Sequence, residues 1–216
     1  MTITYPRSFP TTQFTYPCDF KLMRGDAVNR SYGGRVDAME LADPYWSMKA
    51  TTIDLDGPTR AIWRAWNATL KGSTKRFYAF DPDSVYPNAY GAGVLNLTRH
   101  GGGSFDGTCT LTGTTAGSLS LSNLPDNFVF SIGDNISIGM SGSQRSLHLI
   151  TEAVTGNSSG VATVSVEPPV RAGADNSAAV QLVKATCIMV MVPGTFSAST
   201  QDYASPISFE AVQTLA

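Results

Sequence analysis

Apolar and polar positions alternate with a period of two through much of this chain, in short runs broken by Pro and Gly. Residues 8–16, 36–41, 45–55 and 76–80 read as strands on that pattern. In the first of these, Phe9, Thr11, Gln13 and Thr15 point one way and Phe14 and Tyr16 the other, as a half-buried strand requires. One segment departs from the pattern. Residues 58–71, PTRAIWRAWNATLK, set Ile62, Trp66 and Leu70 at i, i+4 and i+8, with Trp63 widening the stripe and Arg60, Arg64 and Asn67 largely off it. Pro58 suits the first helical position and Gly72 the cap just past the end. The expectation is one amphipathic helix whose Ile62, Trp63, Trp66 and Leu70 dock onto a sheet.

The texture changes after Gly101-Gly102-Gly103. From there to residue 184, Ser, Thr, Gly and Val dominate, and short strand patterns recur at 109–111, 118–121, 135–138, 146–154, 160–166 and 180–183. Residues 156–160 (GNSSG) read as a loop between two antiparallel strands. Many short strands at regular spacing predict a small closed or nearly closed β-barrel. Residues 199–205 read as an exposed connector, and 207–212 as a terminal strand with Ile207 and Phe209 on one face. A lone terminal strand must pair its backbone groups somewhere, so residues 186–216 are expected to return to the N-terminal sheet. The resulting fold class is mainly β: a β-sandwich with one flanking helix, formed by 1–103 and 186–216, plus a small β-barrel inserted at 104–185.

Composition narrows the function classes. Of the 216 residues 42% are hydrophobic but only 15% charged, against about 25% charged in an average globular chain; surface buried against neighbours is one way to tolerate that. A net charge of −2 supplies no basic field for gripping phosphates, so nucleic-acid recognition is not expected. No apolar run approaches the ~20 residues of a membrane-spanning helix, and the opening MTITYPRSFP lacks the apolar core of a secretory leader. Three widely spaced cysteines, Cys18, Cys109 and Cys187, form no Cys-x-x-Cys pair; no metal and no cofactor are expected, and synthesis in a reducing cytoplasm is.

Catalytic patterns are thin. Residues 156–160 match the letters of a nucleophile elbow, but that motif works only where a strand enters a helix, and a strand pattern follows here. The pairs Asp54/Asp56 and Asp81/Asp83 sit beside Pro or Gly, where Asp stabilises turns through its own backbone. The histidines, His100 and His148, have no adjacent nucleophile and orienting partner. Gly91-Ala92-Gly93 lacks a dinucleotide-binding context. Arg24-Gly25-Asp26 is read as a chance tripeptide in a Gly-containing turn. No enzyme activity is expected, and no catalytic residue is assigned.

The stretch Ala61 to Leu70 (AIWRAWNATL) followed by Arg76 to Pro82 (RFYAFDP) resembles a pattern in tail proteins of long-tailed bacteriophages, where a helix carrying Trp and Leu precedes an aromatic strand ending in Asp-Pro. Residues 119–125, 131–138 and 160–171 are similar to small barrel modules in phage capsid and tail proteins. The resemblance implies a structural subunit of the virion tail, made in the host cytoplasm. It implies a ring, a hexamer in that family, at the distal tail or baseplate, joining the tail tube to hub or fibre proteins. The alternative is a module that binds host-surface carbohydrate, although residues 104–184 hold only Phe105, Phe128 and Phe130 as aromatics. Two segments are candidate ring interfaces. Tyr5, Arg7 and Phe9 belong to an aromatic, Pro-rich stretch suited to a neighbour or to its own domain's sheet edge. Tyr86 and Tyr90 flank an extended loop that either lines an interface or covers its own surface.

Overall fold

Two strands of 17 residues, β1 (Phe14–Arg30) and β2 (Val36–Thr52), pair antiparallel from Phe14↔Thr52 to Arg30↔Val36. Between them a tight turn closes with Ser31 N–H donating to the Arg35 carbonyl and Gly34 N–H to that of Ser31. Gly34 there takes φ 81°, which a side chain would resist. The computed structural model describes residues 3–10, 13–140, 144–171, 173–198 and 204–214. Residues 11–12 of the first expected strand and 199–203 of the expected connector lie outside them.

The chain is mainly β and divides into two compact units, one of Pro10–Phe77 with Met189–Ala216, the other of Met1–Phe9 with Tyr78–Ile188. The chain passes between them three times, between Phe9 and Pro10, inside β3 (Phe77–Phe80) and inside β12 (Thr186–Met191). A five-stranded sheet runs in the order β1-β2-β13-β12-β3, with β13 (Ser208–Gln213) pairing with β2 from Ser208↔Thr51 to Val212↔Ser47.

Helix α1 (Gly57–Leu70) covers one face of the first unit. Asp56 caps it by accepting from Thr59 N–H at 3.1 Å, and Lys71 in left-handed conformation ends it, with Gly72 following at φ 69°. Trp63 and Trp66 meet edge-on at 5.3 Å, Trp66 meets Phe77 at 5.1 Å, and Trp63 lies 5.8 Å from Phe209. These rings are fully or almost fully buried, and each contributes about 1.5–3 kcal/mol through burial alone. The buried stripe of α1 is Arg60, Trp63, Trp66 and Leu70. Ile62, placed on that stripe from sequence, is 57% exposed instead. The two indoles turn the helix toward the sheet on the Trp63/Trp66 side, and Arg60 rather than Ile62 then falls beneath it.

The second unit is a closed six-stranded barrel, in order β10-β5-β4-β11-β7-β8. Its strands are β4 (Thr108–Thr114), β5 (Ser118–Ser122), β7 (Asn135–Gly139), β8 (Arg145–Ile150), β10 (Ala162–Glu167) and β11 (Ala179–Gln181). Inward Leu119 and Leu121 alternate with outward Ser118, Ser120 and Ser122. A small side sheet pairs β6 (Val129–Phe130) with β9 (Val154–Thr155). Apart from Met1–Phe9, this unit runs from Tyr78, ahead of the triple glycine. Tyr86, Tyr90 and Leu97 pack against the barrel core, and Val94, within a 3-10 helix over Gly91–Asn96, lies inside it.

Candidate interaction surface

The hairpin of β1 and β2 divides into a supported half and an unsupported one. From residue 44 to 52 along β2, buried Trp46, Met48, Ala50 and Thr52 alternate with less buried Ser47, Lys49 and Thr51, because β13 pairs alongside and α1 covers the face. From residue 26 to 43, all 18 positions are exposed. Beyond the reach of β13, the two strands run on as a bare ribbon, about 20 Å of it at ~3.3 Å per residue. Register breaks between Met23 and Gly25 and between Gly25 and Asp26 interrupt the β1–β2 ladder near the base of this ribbon.

The ribbon carries apolar side chains that its own unit does not cover. Val28 is 66% exposed, Val36 50%, Met39 63% and Leu41 64%, with Tyr32 fully exposed at the turn. Residues directly opposite in an antiparallel pair share a face. Val28↔Ala38 and Arg30↔Val36 therefore share one side, and Ala27↔Met39 the other. The charged positions partly neutralise one another: Arg35 Nε donates to Asp37 at 2.9 Å, and Arg24 lies 3.8 Å from Glu40. A two-stranded hairpin is marginal in water by itself, and single scattered apolar residues need no explanation whereas a continuous patch does. The arm gathers five of the exposed large hydrophobics among the described residues, Val28, Tyr32, Val36, Met39 and Leu41.

Sequence reasoning missed it. The tripeptide Arg24-Gly25-Asp26, read as a turn, lies within β1, with Gly25 close against Ala42. Two signals were available: Gly33-Gly34 in a turn context, and the apolar Val28 and Val36 flanking it.

The residues proposed as interface from sequence are half-buried within their own unit. The Arg7 carbonyl accepts from Tyr78 N–H at 2.8 Å, and Phe9 meets Phe80 edge-on at 6.1 Å, so the segment holding Tyr5, Arg7 and Phe9 lies along β3. Tyr90 stacks near Phe128 at 4.9 Å and its hydroxyl accepts from Val129 N–H, while Tyr86 packs on the barrel core. Phe105, Phe128 and Phe130 are buried in that core; residues 104–184 thus present no aromatic ring on the barrel surface to stack on a sugar.

The remaining chemical candidates have local explanations. The Asn157 carboxamide oxygen accepts from Ser159 and Val161 N–H and closes the 156–160 loop, after which β10 continues as a strand. Asp81 accepts from Asp83 N–H at 3.0 Å in a turn; burial raises its pKa. His148 is wholly buried, its Nδ1 2.7 Å from the Pro168 carbonyl, and burial pushes its pKa down to about 4. Burial raises the Cys109 thiol to about 12, far from a reactive thiolate. Among the described residues no cluster of three or more His, Cys, Asp or Glu is arranged to hold a metal ion, and no helix is long and apolar enough to cross a membrane.

No protein-family model and no curated protein sequence matches this chain.

Proposed function

We propose that this chain is a structural subunit of a long-tailed phage tail. It assembles with other copies of itself into a ring at the distal tail or baseplate, and the ring connects the tail tube to tip or fibre proteins. The observation that carries this reading is the bare arm at residues 26–43: a ribbon with uncovered apolar side chains has a physical reason to exist only where another surface covers it. The low charge content and the resemblance of residues 61–82 to tail proteins support the same direction. The work required is mechanical, so the reading needs no catalytic constellation.

Purified protein, examined by light scattering after size exclusion, is expected to give a discrete ring-sized mass and ring-shaped particles by electron microscopy. Replacing residues 27–39 with Asn-Gly joins Asp26 to Glu40, already paired across the ribbon, through a favoured two-residue turn. That variant is expected to melt cooperatively as a folded monomer. A full-length chain that stays monomeric at high concentration would overturn the reading.

A further inference from the structure

Asn135 opens β7 beside a partly buried carboxylate. Ile136 and Ile138 of that strand lie in the barrel core, so Asn135 turns to the outer side, where its carboxamide donates to Asp81 just past the end of β3. Asn135 is 5% exposed, and among the described residues its Oδ1 is buried with no hydrogen-bond partner. Native chains rarely leave a buried acceptor empty, and an unfilled one marks the place of a water or an ion.

The carboxylate it meets is in a similar difficulty. Burial raises the pKa of Asp81, and the charge of Asp83 raises it further, against hydrogen bonds from the Asp83 N–H and from Asn135. The two aspartates flank Pro82 in one turn, with the Asp83 N–H 3.0 Å from Asp81 Oδ1. Among the described residues no Lys or Arg stands within salt-bridge distance of Asp81. Burial and a like charge both disfavour an ionised carboxylate. A water fills the Asn135 acceptor but leaves that repulsion in place, whereas a cation relieves both.

We propose that Asp81, Asp83 and the Oδ1 of Asn135 form a calcium site. All three donors are hard oxygens, which suit calcium or magnesium rather than zinc or copper. The third is a carboxamide and not another His, Cys, Asp or Glu side chain. Calcium takes six to eight oxygens in irregular arrangements, with water completing the shell, while magnesium demands near-octahedral geometry and dehydrates reluctantly. A carboxylate pair in a turn and one amide on a strand meet the first requirement and not the second. Asn135 needs only to rotate about its last side-chain bond, a soft torsion, to present oxygen in place of N–H. Asp134 stands outside the site: its Oδ1 and Oδ2 already accept from the Asn88 and Ser131 N–H groups, each at 2.8 Å.

Calorimetric titration of the full chain with calcium chloride at constant ionic strength tests this. One saturable site per chain is expected, with a Kd on the order of 10⁻⁴–10⁻³ M, as a site with few protein charges gives, and magnesium about tenfold weaker. Asp81→Asn keeps an acceptor for the Asp83 N–H and removes a charge that burial disfavours, so it is expected to fold and to weaken calcium about tenfold or more. Asn135→Asp adds a third carboxylate and is expected to tighten calcium about tenfold, a gain that a purely structural asparagine would not produce. Asp134→Asn is expected to leave the affinity within about twofold. Absence of saturable calcium binding by the wild type would overturn the proposal, as would binding that Asp81→Asn leaves unchanged or that Asn135→Asp weakens. None of these results depends on the oligomeric state, so the ring reading stands or falls separately.

Discussion

Arg99 and Asp106 form an ion pair just ahead of β4, the first barrel strand. The Arg99 Nη2 donates to the Asp106 carboxylate at 2.5 Å, while Nη1 donates to the Thr108 and Asn123 carbonyls at 2.8 and 2.9 Å. The guanidinium also lies 5.0 Å from the centre of the Phe105 ring. Hydrogen bonds from Thr108, first its hydroxyl, hold the Asp106 carboxyl below its ordinary pKa, and Arg99 adds to this.

The two partners should not be equivalent to mutation. Arg99 is mostly buried and Asp106 is mostly exposed. Arg99→Met strands two carbonyls and is expected to cost about 1–3 kcal/mol. Asp106→Asn removes one exposed charge and is expected to cost about 0–1 kcal/mol. Urea denaturation of both variants checks the order; equal losses would mean that the ion pair, not the buried carbonyl contacts, dominates.

His148 makes a pH prediction. Its folded pKa of about 4 lies below the ordinary 6.5, so the unfolded chain takes up the proton first as the solution is acidified. Its contribution is fully present above pH 6.5, declines at about 1.4 kcal/mol per pH unit toward pH 4, and is constant below that. The whole loss is roughly 3 kcal/mol. His148→Asn keeps a donor near the Pro168 carbonyl and removes the titration. Its denaturation curves between pH 4 and 7 should show a shallower slope than wild type by that amount, and parallel slopes would contradict the assignment.

On α1, Ile62 and Trp66 should behave oppositely despite both being large and apolar. Trp66→Ala empties the contact with Trp63, Phe77 and Phe209 and is expected to cost about 3–5 kcal/mol. Ile62→Ala, on the exposed side, is expected to change stability by less than about 0.5 kcal/mol. Thermal melts of the two variants measure the difference.

Local chemistry was legible residue by residue. Pro58 marks the start of α1, where Asp56, read as a turn aspartate, supplies the cap, and the Asn157 loop and the alternation of β5 follow from side chains acting on their own backbone or from a strand with one buried face. Where no such asymmetry exists, the pattern falls silent. In β7 all of Asn135, Ile136, Ser137 and Ile138 are buried, and in the arm every residue is exposed, so neither yields a period-two contrast in burial.

The chain by itself determined helix α1, the Ser/Thr-rich barrel strands and their turns, because these depend on neighbours within a few residues. Only the tertiary structure decided that Arg60 rather than Ile62 lies under α1, that the barrel unit takes in Met1–Phe9 and residues from Tyr78 onward, and that β1 and β2 outrun their sheet. Each of those depends on what packs from far along the chain. The two indoles set the rotation of the helix, Tyr86 and Tyr90 find the barrel core, and β13 stops pairing with β2 at Ser47. Beyond that point the ribbon continues without a third strand, and its apolar side chains stay exposed because nothing in the unit reaches them.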